Sequence, residues 1–301
     1  MINLFIGENS FEINRQLRLM AEQFDGQVER VDGAALEARQ LPDLLMGVSL
    51  FSDKRLVIIR DLSSNKTLWP ELGGWLNRVS DDINLVLVEP KPDKRTITFK
   101  ELKKLAKISE FNEWGERDTS KAEAWLVDEA KKMKIGLDTS SAKLIVRRVG
   151  LDQWQLQHAL EKLALVDTIN SQTIEAVIDA SPTENVFNLF EAALGGNRAR
   201  LSEMLAVIEQ TEDPFRLFAL LAGQAFQLAS VITAGQSDNV AKDFGIHPYA
   251  VSRLESSARK LGRGGAKKII NIFAKADDDM KLSRAEPWLL IERSLQQVAA
   301  L

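Results

Sequence analysis

The chain has 301 residues, of which 45% are hydrophobic and 27% are charged, and its formal net charge is −4. This composition is typical of a folded globular protein, and the length predicts two or three domains. The charge balance argues against a chain that coats nucleic acid or a membrane surface as a whole. Because cysteine is absent and His158 and His247 are far apart, we expect no disulfide, no metal site and no thiol catalysis.

The N-terminal stretch MINLFIGENS lacks the basic region and the long apolar core of a signal peptide. No apolar run approaches the ~18 residues that a membrane span needs. We therefore expect a cytoplasmic protein without a membrane-spanning helix.

Strand and helix signals alternate over the first third of the chain. Apolar runs predict strands at INLFIG, QVERVDG, RLVIIRDL and NLVLVEP, with a last short strand near SEFNEW. Amphipathic segments between them predict helices, the first of which opens with a capping box at Asn9 and Glu12. Strands that alternate with helices are typical of a parallel sheet covered on both faces. Residues 1–117 are thus predicted to form an α/β domain.

Strand signals stop from Asp118 onward. Helical segments up to about residue 183 predict a small all-α domain, and residues 184–301 predict a larger one, with helices separated by glycine and proline positions. The larger unit carries apolar helix faces and as many acidic as basic residues, which favours assembly with other subunits over DNA binding. Those faces contain Phe187, Phe190, Leu194, Leu217, Leu220 and Leu221.

A parallel sheet followed by a small helical domain is the layout of the AAA+ ATPases, whose phosphate loop G-x-x-x-x-G-K-[ST] follows the first strand. Here Gly7 is followed by Glu8-Asn9-Ser10-Phe11-Glu12, without the second glycine or the lysine, and the third strand lacks an acidic pair after it. The motifs G-x-S-x-G, H-E-x-x-H and G-x-G-x-x-G are also missing. We predict an AAA+-like frame without a nucleotide site, a cofactor or catalytic residues.

The stretch GVSLFSDKRLVIIR places two large apolar side chains, Leu50 and Phe51, in a polar setting just before a predicted buried strand. Two interpretations are open. The pair folds back onto its own sheet, or it is exposed because its pocket belongs to another protein.

Several segments resemble the delta subunit of the bacterial DNA polymerase III clamp loader, and they follow the family's order over nearly the whole chain. They are FIGENSFEI, VERVDG, SLFSDKRLVIIRDL, LVLVEPKPDKR, LEKLAL, ENVFNLFEAAL and GIHPYAVSRL. The resemblance implies three domains: an AAA+-like domain at 1–117, a small helical lid domain at 118–183 and a helical collar domain at 184–301. It also implies that the chain does not hydrolyse ATP.

The resemblance further implies a five-subunit ring with ATPase subunits and delta prime, which loads a sliding clamp onto primed DNA in the replisome. In the family, an exposed Leu-Phe pair before the third strand grips the clamp, which matches Leu50 and Phe51 here, with Ser49 beside them. Met46 stands where clamp-binding peptides often carry glutamine, so it is a further candidate contact. Burying a Leu or Phe in a partner contributes ~1.5–3 kcal/mol.

A basic stretch at residues 91–107 contains seven basic and two acidic residues. It could contact the DNA backbone through phosphates, or it could be a solvated helix face. The candidate contacts are Lys91, Lys94, Arg95, Lys100, Lys103 and Lys104.

An alternative function comes from residues 240–254. Ala241, Gly245 and Val251 have the spacing of a helix-turn-helix, and Pro248 suits the first turn of its second helix. Alone, this pattern would indicate a DNA-binding regulator. The acidic Glu255 and the lack of a run of base-reading side chains argue against it.

Overall fold

The computed structural model describes residues 1–47, 54–234, 240–244 and 248–301. The chain divides into two compact units, Met1–Gly115 and Glu116–Leu301. The further division of the helical part at residue 183 stays a prediction.

The first unit contains a five-stranded parallel sheet with strand order β2-β3-β4-β1-β5. The strands are β1 Ile2–Ile6, β2 Gln27–Asp32, β3 Arg55–Arg60, β4 Ile83–Glu89 and β5 Lys107–Glu110. The connections carry the helices α1 Ser10–Glu22, α2 Leu41–Met46, α3 Leu68–Trp75 and α4 Ile97–Leu105. The fifth strand begins two residues before the predicted SEFNEW stretch, because α4 ends at Leu105 and pairing with β1 includes Lys107.

Both faces of the sheet are covered, as predicted. Alternate residues of the central strands, such as Val57 and Leu85, pack on one face against α2, α3 and α4. The intervening residues, such as Ile58 and Val86, pack on the other face against Ile13 and Leu17 of α1. Strands buried on both faces need apolar side chains at every position, which is why β3 and β4 are nearly continuous apolar runs.

The described residues of the second unit form helices and connections, with no strand among them. Its helices are α5 Thr119–Lys132, α6 Thr139–Val149, α7 Gln153–Leu163, α8 Ser171–Val177, α9 Pro182–Leu194, α10 Arg198–Ile208, α11 Pro214–Thr233, α12 Val240–Asp243, α13 Pro248–Lys281 and α14 Pro287–Val298. Side chains such as Asp152, Asn170 and Asp213 accept a backbone N–H at the helix starts and so fix the boundaries. Helix α13 is kinked at Gly262, where φ is 58°.

Helix α11 is the centre of the largest core, which it forms with α9, α10, α13 and α14. It is also the one helix among the described residues that is long and apolar enough to cross a membrane. The prediction from apolar runs did not anticipate this. One apolar face of the helix, with Leu217, Leu221 and Leu228, is buried in the core of the unit.

Candidate functional site

The turn after β1 lies where a phosphate loop would be, and its backbone amides are hydrogen-bonded to other backbone groups of the same unit. Gly7 donates its N–H to the Pro90 carbonyl at 3.1 Å, and Asn9 donates to the Phe111 carbonyl at 3.0 Å. The Asn9 side chain accepts the N–H of Glu12 at 3.0 Å. Gly7 has φ 112°, and a Cβ there would collide with the Phe111 carbonyl, so only glycine fits against this segment.

These contacts have a direct chemical consequence. Amides that would cradle a phosphate in a P-loop are engaged by carbonyl and carboxamide oxygens of the same unit. The sequence has no lysine at the position of the phosphate-loop lysine. The nearby Lys91 is paired with Glu8 at 2.6 Å. The turn therefore serves to join β1, β4 and the segment after β5.

Glu89, at the end of β4, is a carboxyl group that the sequence analysis did not single out. It is fully buried and accepts the N–H groups of Leu62 at 2.9 Å and Ser63 at 3.0 Å. It thereby holds the 3₁₀ turn Leu62–Ser64 that follows β3. Burial raises the pKa of Glu89 to about 7, and the charge of Asp61 adds to this, whereas the hydrogen bonds from Ser63 and Leu62 oppose it.

The raised pKa predicts a pH-dependent stability. Between the ordinary pKa near 4.5 and the folded value near 7, the folded chain keeps a proton on Glu89 that the unfolded chain releases. The stabilising contribution is thus complete below the ordinary pKa and is lost as pH rises through about 7. We expect the free energy of unfolding of the wild type, relative to Glu89→Gln, to fall by about 3 kcal/mol from pH 4.5 to 8.

The measurement is urea unfolding of both proteins at several pH values in this range. Glu110→Gln, which removes an exposed carboxyl group of β5, is the control and should track the wild type. Parallel curves for wild type and Glu89→Gln would contradict a proton held at Glu89.

The predicted clamp-binding residues Ser49, Leu50 and Phe51 fall in segment 48–53, which lies outside the described residues. Met46, the last residue of α2, is described and is 41% exposed. Its neighbours Leu44 and Leu45 are buried under the sheet. Helix α2 therefore ends with an apolar side chain available to a partner, directly before the segment.

Arg55, the first residue of β3, joins the elements on both sides of that segment. One guanidinium nitrogen, Nη1, donates to the carbonyls of Asp43 and Gly47, both at 2.8 Å. The other, Nη2, pairs with Glu29 of β2 at 2.6 Å. Only 8% of the Arg55 side chain is exposed. This role of Arg55 was not predicted from the sequence, although a charged side chain at the start of a buried strand was a signal that could have indicated it.

The six basic residues proposed for DNA contact lie near or on α4, and four of them have acidic partners. Lys91 pairs with Glu8, Lys94 with Glu110, Arg95 with Asp93 and Lys104 with Glu101, at 2.6, 3.5, 2.9 and 2.7 Å. Lys100 and Lys103 are exposed on the helix. The positive charge of this face is therefore smaller than the composition of residues 91–107 suggests.

The residues of the helix-turn-helix interpretation are used to build the helical unit. Gly245 and His247 lie outside the described residues, whereas Val240 and Ala250 form a small apolar cluster. Arg253, which would lie on a DNA-reading helix, instead pairs with Glu184 and Glu191 of α9 at 3.0 and 2.6 Å.

The structure of a DNA clamp-loader delta protein from Bacillus subtilis is similar in fold to this chain. Its TM-score is 0.58 with 19% identity, covering 100% of this chain and 95% of that one. This likeness shows that the chain shares the fold of that protein.

Two domain models match the sequence. The model of the DNA polymerase III delta subunit matches residues 4–112, and that of its C-terminal domain matches residues 183–298. Together they cover well over half of the chain, so the chain belongs to the DNA polymerase III delta subunit family. A curated relative, DNA polymerase III subunit delta of Bacillus subtilis, is 24% identical over 295 residues, covering 91% of this chain and 82% of the relative.

The family resemblance and the fold class predicted from sequence are thereby confirmed. As a delta subunit, the chain is a non-catalytic component of the polymerase III holoenzyme. Neither the domain models nor the relatives support the helix-turn-helix interpretation.

Proposed function

We propose that this chain binds the sliding clamp through segment 48–53 and holds the ring open for loading onto primed DNA. The single observation that carries the proposal is the Leu50-Phe51 pair in a polar stretch between α2 and β3 of a delta-family chain. The described ends of the segment support it, since Met46 is exposed and Arg55 ties the segment's flanks to the sheet. Apolar anchors of this kind commonly dominate interfaces.

The larger helical part, residues 184–301, is proposed as the collar domain that assembles with ATPase subunits and delta prime. The apolar residues first suggested for this contact do not suit it, because Phe190, Leu217 and Leu221 are buried in the domain's own core. An exposed stripe along α11 suits it better, with large or small apolar residues one turn apart. It comprises Phe215, Ala219, Gly223 and Phe226.

DNA contact is proposed only through the assembled ring. Lys100 and Lys103, which are exposed on α4, are the residues best placed among the six candidates. Because the other four candidates are paired with carboxylates, their contribution to phosphate binding would first require those pairs to open. A replisome subunit of this kind is expected in the cytoplasm.

The test is a binding measurement of the purified chain with the sliding clamp of the same organism, without ATP or other subunits. Adding the ATPase subunits and delta prime to the mixture, followed by gel filtration, tests the assembly. We expect clamp binding by the chain alone and co-elution of all ring subunits. A folded chain that leaves the clamp unbound under both conditions would refute the proposal.

A further inference from the structure

The second unit contains a strongly basic surface, although residues 184–301 carry as many acidic as basic residues in total. Between residues 256 and 276 the sequence has six lysine or arginine residues and no aspartate or glutamate. Four of the six are exposed and follow one another along α13, and we call them the basic stripe. They are Lys260, Arg263, Lys267 and Lys268. The charge of this unit is therefore unevenly distributed along its helices.

The packing of α13 determines which side of the helix carries the stripe. Ile269, Phe273 and Ala276 are buried in the core that α13 shares with α11. Residues four apart lie on the same face of a helix, so Arg263 and Lys267 are neighbours, ~6 Å apart along the helix axis. Both are exposed and point away from that core. The outer face of α13 is thus basic where its inner face is apolar.

Glycine residues keep the surface around the stripe low. Gly262 has φ 58°, a conformation that favours glycine, and it kinks the helix just before Arg263. Gly264 and Gly265 follow, and a Cβ on Gly264 would have no atom within 4 Å. Between Lys260 and Lys267, Arg263 is thus the one exposed residue with a long side chain. An extended polyanion has room to approach the helix here.

The four cations of the stripe lack carboxylate partners. Within the described ranges none of them forms an ion pair, and none has Asp or Glu three or four residues away along the helix. Exposed lysines elsewhere in the chain do pair at this spacing, Lys104 with Glu101 at 2.7 Å and Lys132 with Glu129 at 2.8 Å. Like charges one helical turn apart repel each other. An anion from outside the chain would remove this repulsion.

We propose that the basic stripe binds the phosphate backbone of DNA when the assembled ring holds primed DNA. A row of exposed cations suits a row of phosphates, because each contact releases counterions that are condensed on the DNA. Since every sequence presents the same phosphates, this contact carries no sequence preference. The stripe belongs to the second unit, whereas the six candidates at residues 91–104 belong to the first.

A contact with another subunit suits the stripe less well. Three of its four residues are lysines, and lysine is depleted from the buried cores of protein interfaces. The exposed apolar stripe of α11 is the surface already proposed for assembly. The inference of DNA binding rests on the proposed role of the chain in a ring that holds primed DNA.

The test variant is Arg263→Gln/Lys267→Gln/Lys268→Gln in the full chain. The matched control has the same net charge, because it replaces three other exposed basic residues of the same unit with glutamine. These are Lys143, Arg198 and Arg200. The measurement is fluorescence anisotropy of a labelled primed oligonucleotide with the ring assembled from each chain, over a series of salt concentrations.

We expect the ring with the test variant to bind DNA about tenfold more weakly than the wild-type ring at low salt. The slope of log K against log salt should become shallower by about 2–3, because three phosphate contacts are lost. The control ring should stay within about twofold of the wild type, since exposed charges more than a Debye length from the DNA are largely screened. Equal losses in test variant and control, or no loss in either, would overturn the inference.

Gly264→Glu and Gly264→Gln form a second pair that differs only in charge. Both place a side chain of nearly the same size in open space, where it replaces a poor helix former. Only the glutamate puts a negative charge between Arg263 and Lys267. We expect Gly264→Glu to bind DNA severalfold more weakly than Gly264→Gln, and equal affinities would contradict phosphate binding at the stripe.

Gel filtration of the same mixtures separates DNA binding from assembly. We expect the test variant to co-elute with the other ring subunits. Failure of this variant alone to co-elute would show that the stripe contacts a subunit, which would overturn the inference. If the wild type also fails to form a ring, the proposed assembly is wrong, and the chains are compared alone with DNA at about 20 mM salt, where phosphate contacts are strongest. Absence of DNA binding by the wild-type chain under that condition would overturn the inference as well.

Discussion

Truncating Leu50 and Phe51 together to alanine is expected to weaken clamp binding by a factor of tens to a thousand. Two anchors leaving one pocket should cost ~2–4 kcal/mol, and every 1.4 kcal/mol is about tenfold in affinity. The melting temperature should stay nearly unchanged, because side chains whose proposed pocket belongs to the clamp lose few contacts within their own chain when truncated. Thermal melting and clamp affinity should be measured on the same preparation.

Ile97→Ala is the control for this experiment, because Ile97 is an apolar side chain of the same unit that is 77% exposed on α4. It should leave clamp affinity unchanged. A fall in melting temperature of many degrees in the double variant would show that Leu50 and Phe51 belong to the core. Unchanged affinity in a stable double variant would place the clamp site elsewhere on the chain.

Replacing Arg253 with alanine is expected to destabilise the helical unit by about 3 kcal/mol. Arg253 is 12% exposed, donates to both carboxylate oxygens of Glu191 and to Glu184, and lies 4.9 Å from the ring of Phe187. Removing one partner of a buried ion pair leaves the other charge uncompensated, which costs ~3–5 kcal/mol. The low end applies because Arg147 still lies 3.4 Å from Glu184.

For a unit of this size, such a loss corresponds to a melting temperature lower by roughly 6–12 °C. The matched control is Arg259→Ala on the same helix, where the side chain is 79% exposed and pairs with Glu255 one turn earlier. Exposed ion pairs of this type contribute little to the free energy of unfolding, so the control should melt within a degree or two of the wild type. Equal melting of the two variants would refute a structural role for Arg253.

The residues in these two predictions differ in how much of their role could be predicted from the sequence alone. Leu50 and Phe51 were identified from an apolar pair in a polar stretch and from the family's motif, with no coordinates needed. Arg253 falls within residues 240–254, for which the sequence offered only the helix-turn-helix interpretation. Only the packing of α13 against α9, across 69 residues of sequence to Glu184, shows that its charge is used inside the fold.

The need for tertiary packing also explains why some apolar faces predicted to contact other subunits lie in the core of the helical unit. Helical periodicity correctly marked Phe190, Leu217 and Leu221 as apolar faces, but it does not tell whether a face meets its own chain or another. In the structure those faces form the core, while Phe215 and Phe226 remain more than half exposed. Which stripe of a helix as apolar as α11 turns inward depends on where α9, α13 and α14 pack.

What the sequence determined by itself is local or compositional in origin. Runs of apolar residues define the buried strands, Asp, Asn and Ser side chains cap the helices, and missing glycine and lysine residues remove the phosphate loop. What the tertiary structure decided depends on groups distant in sequence. The fold buries Glu89 and so raises the pKa of its carboxyl group, and Arg55 reaches Glu29 and Gly47 only once three elements have met. Burial and hydrogen-bond partners are properties of the assembled chain, and they set the role of both residues.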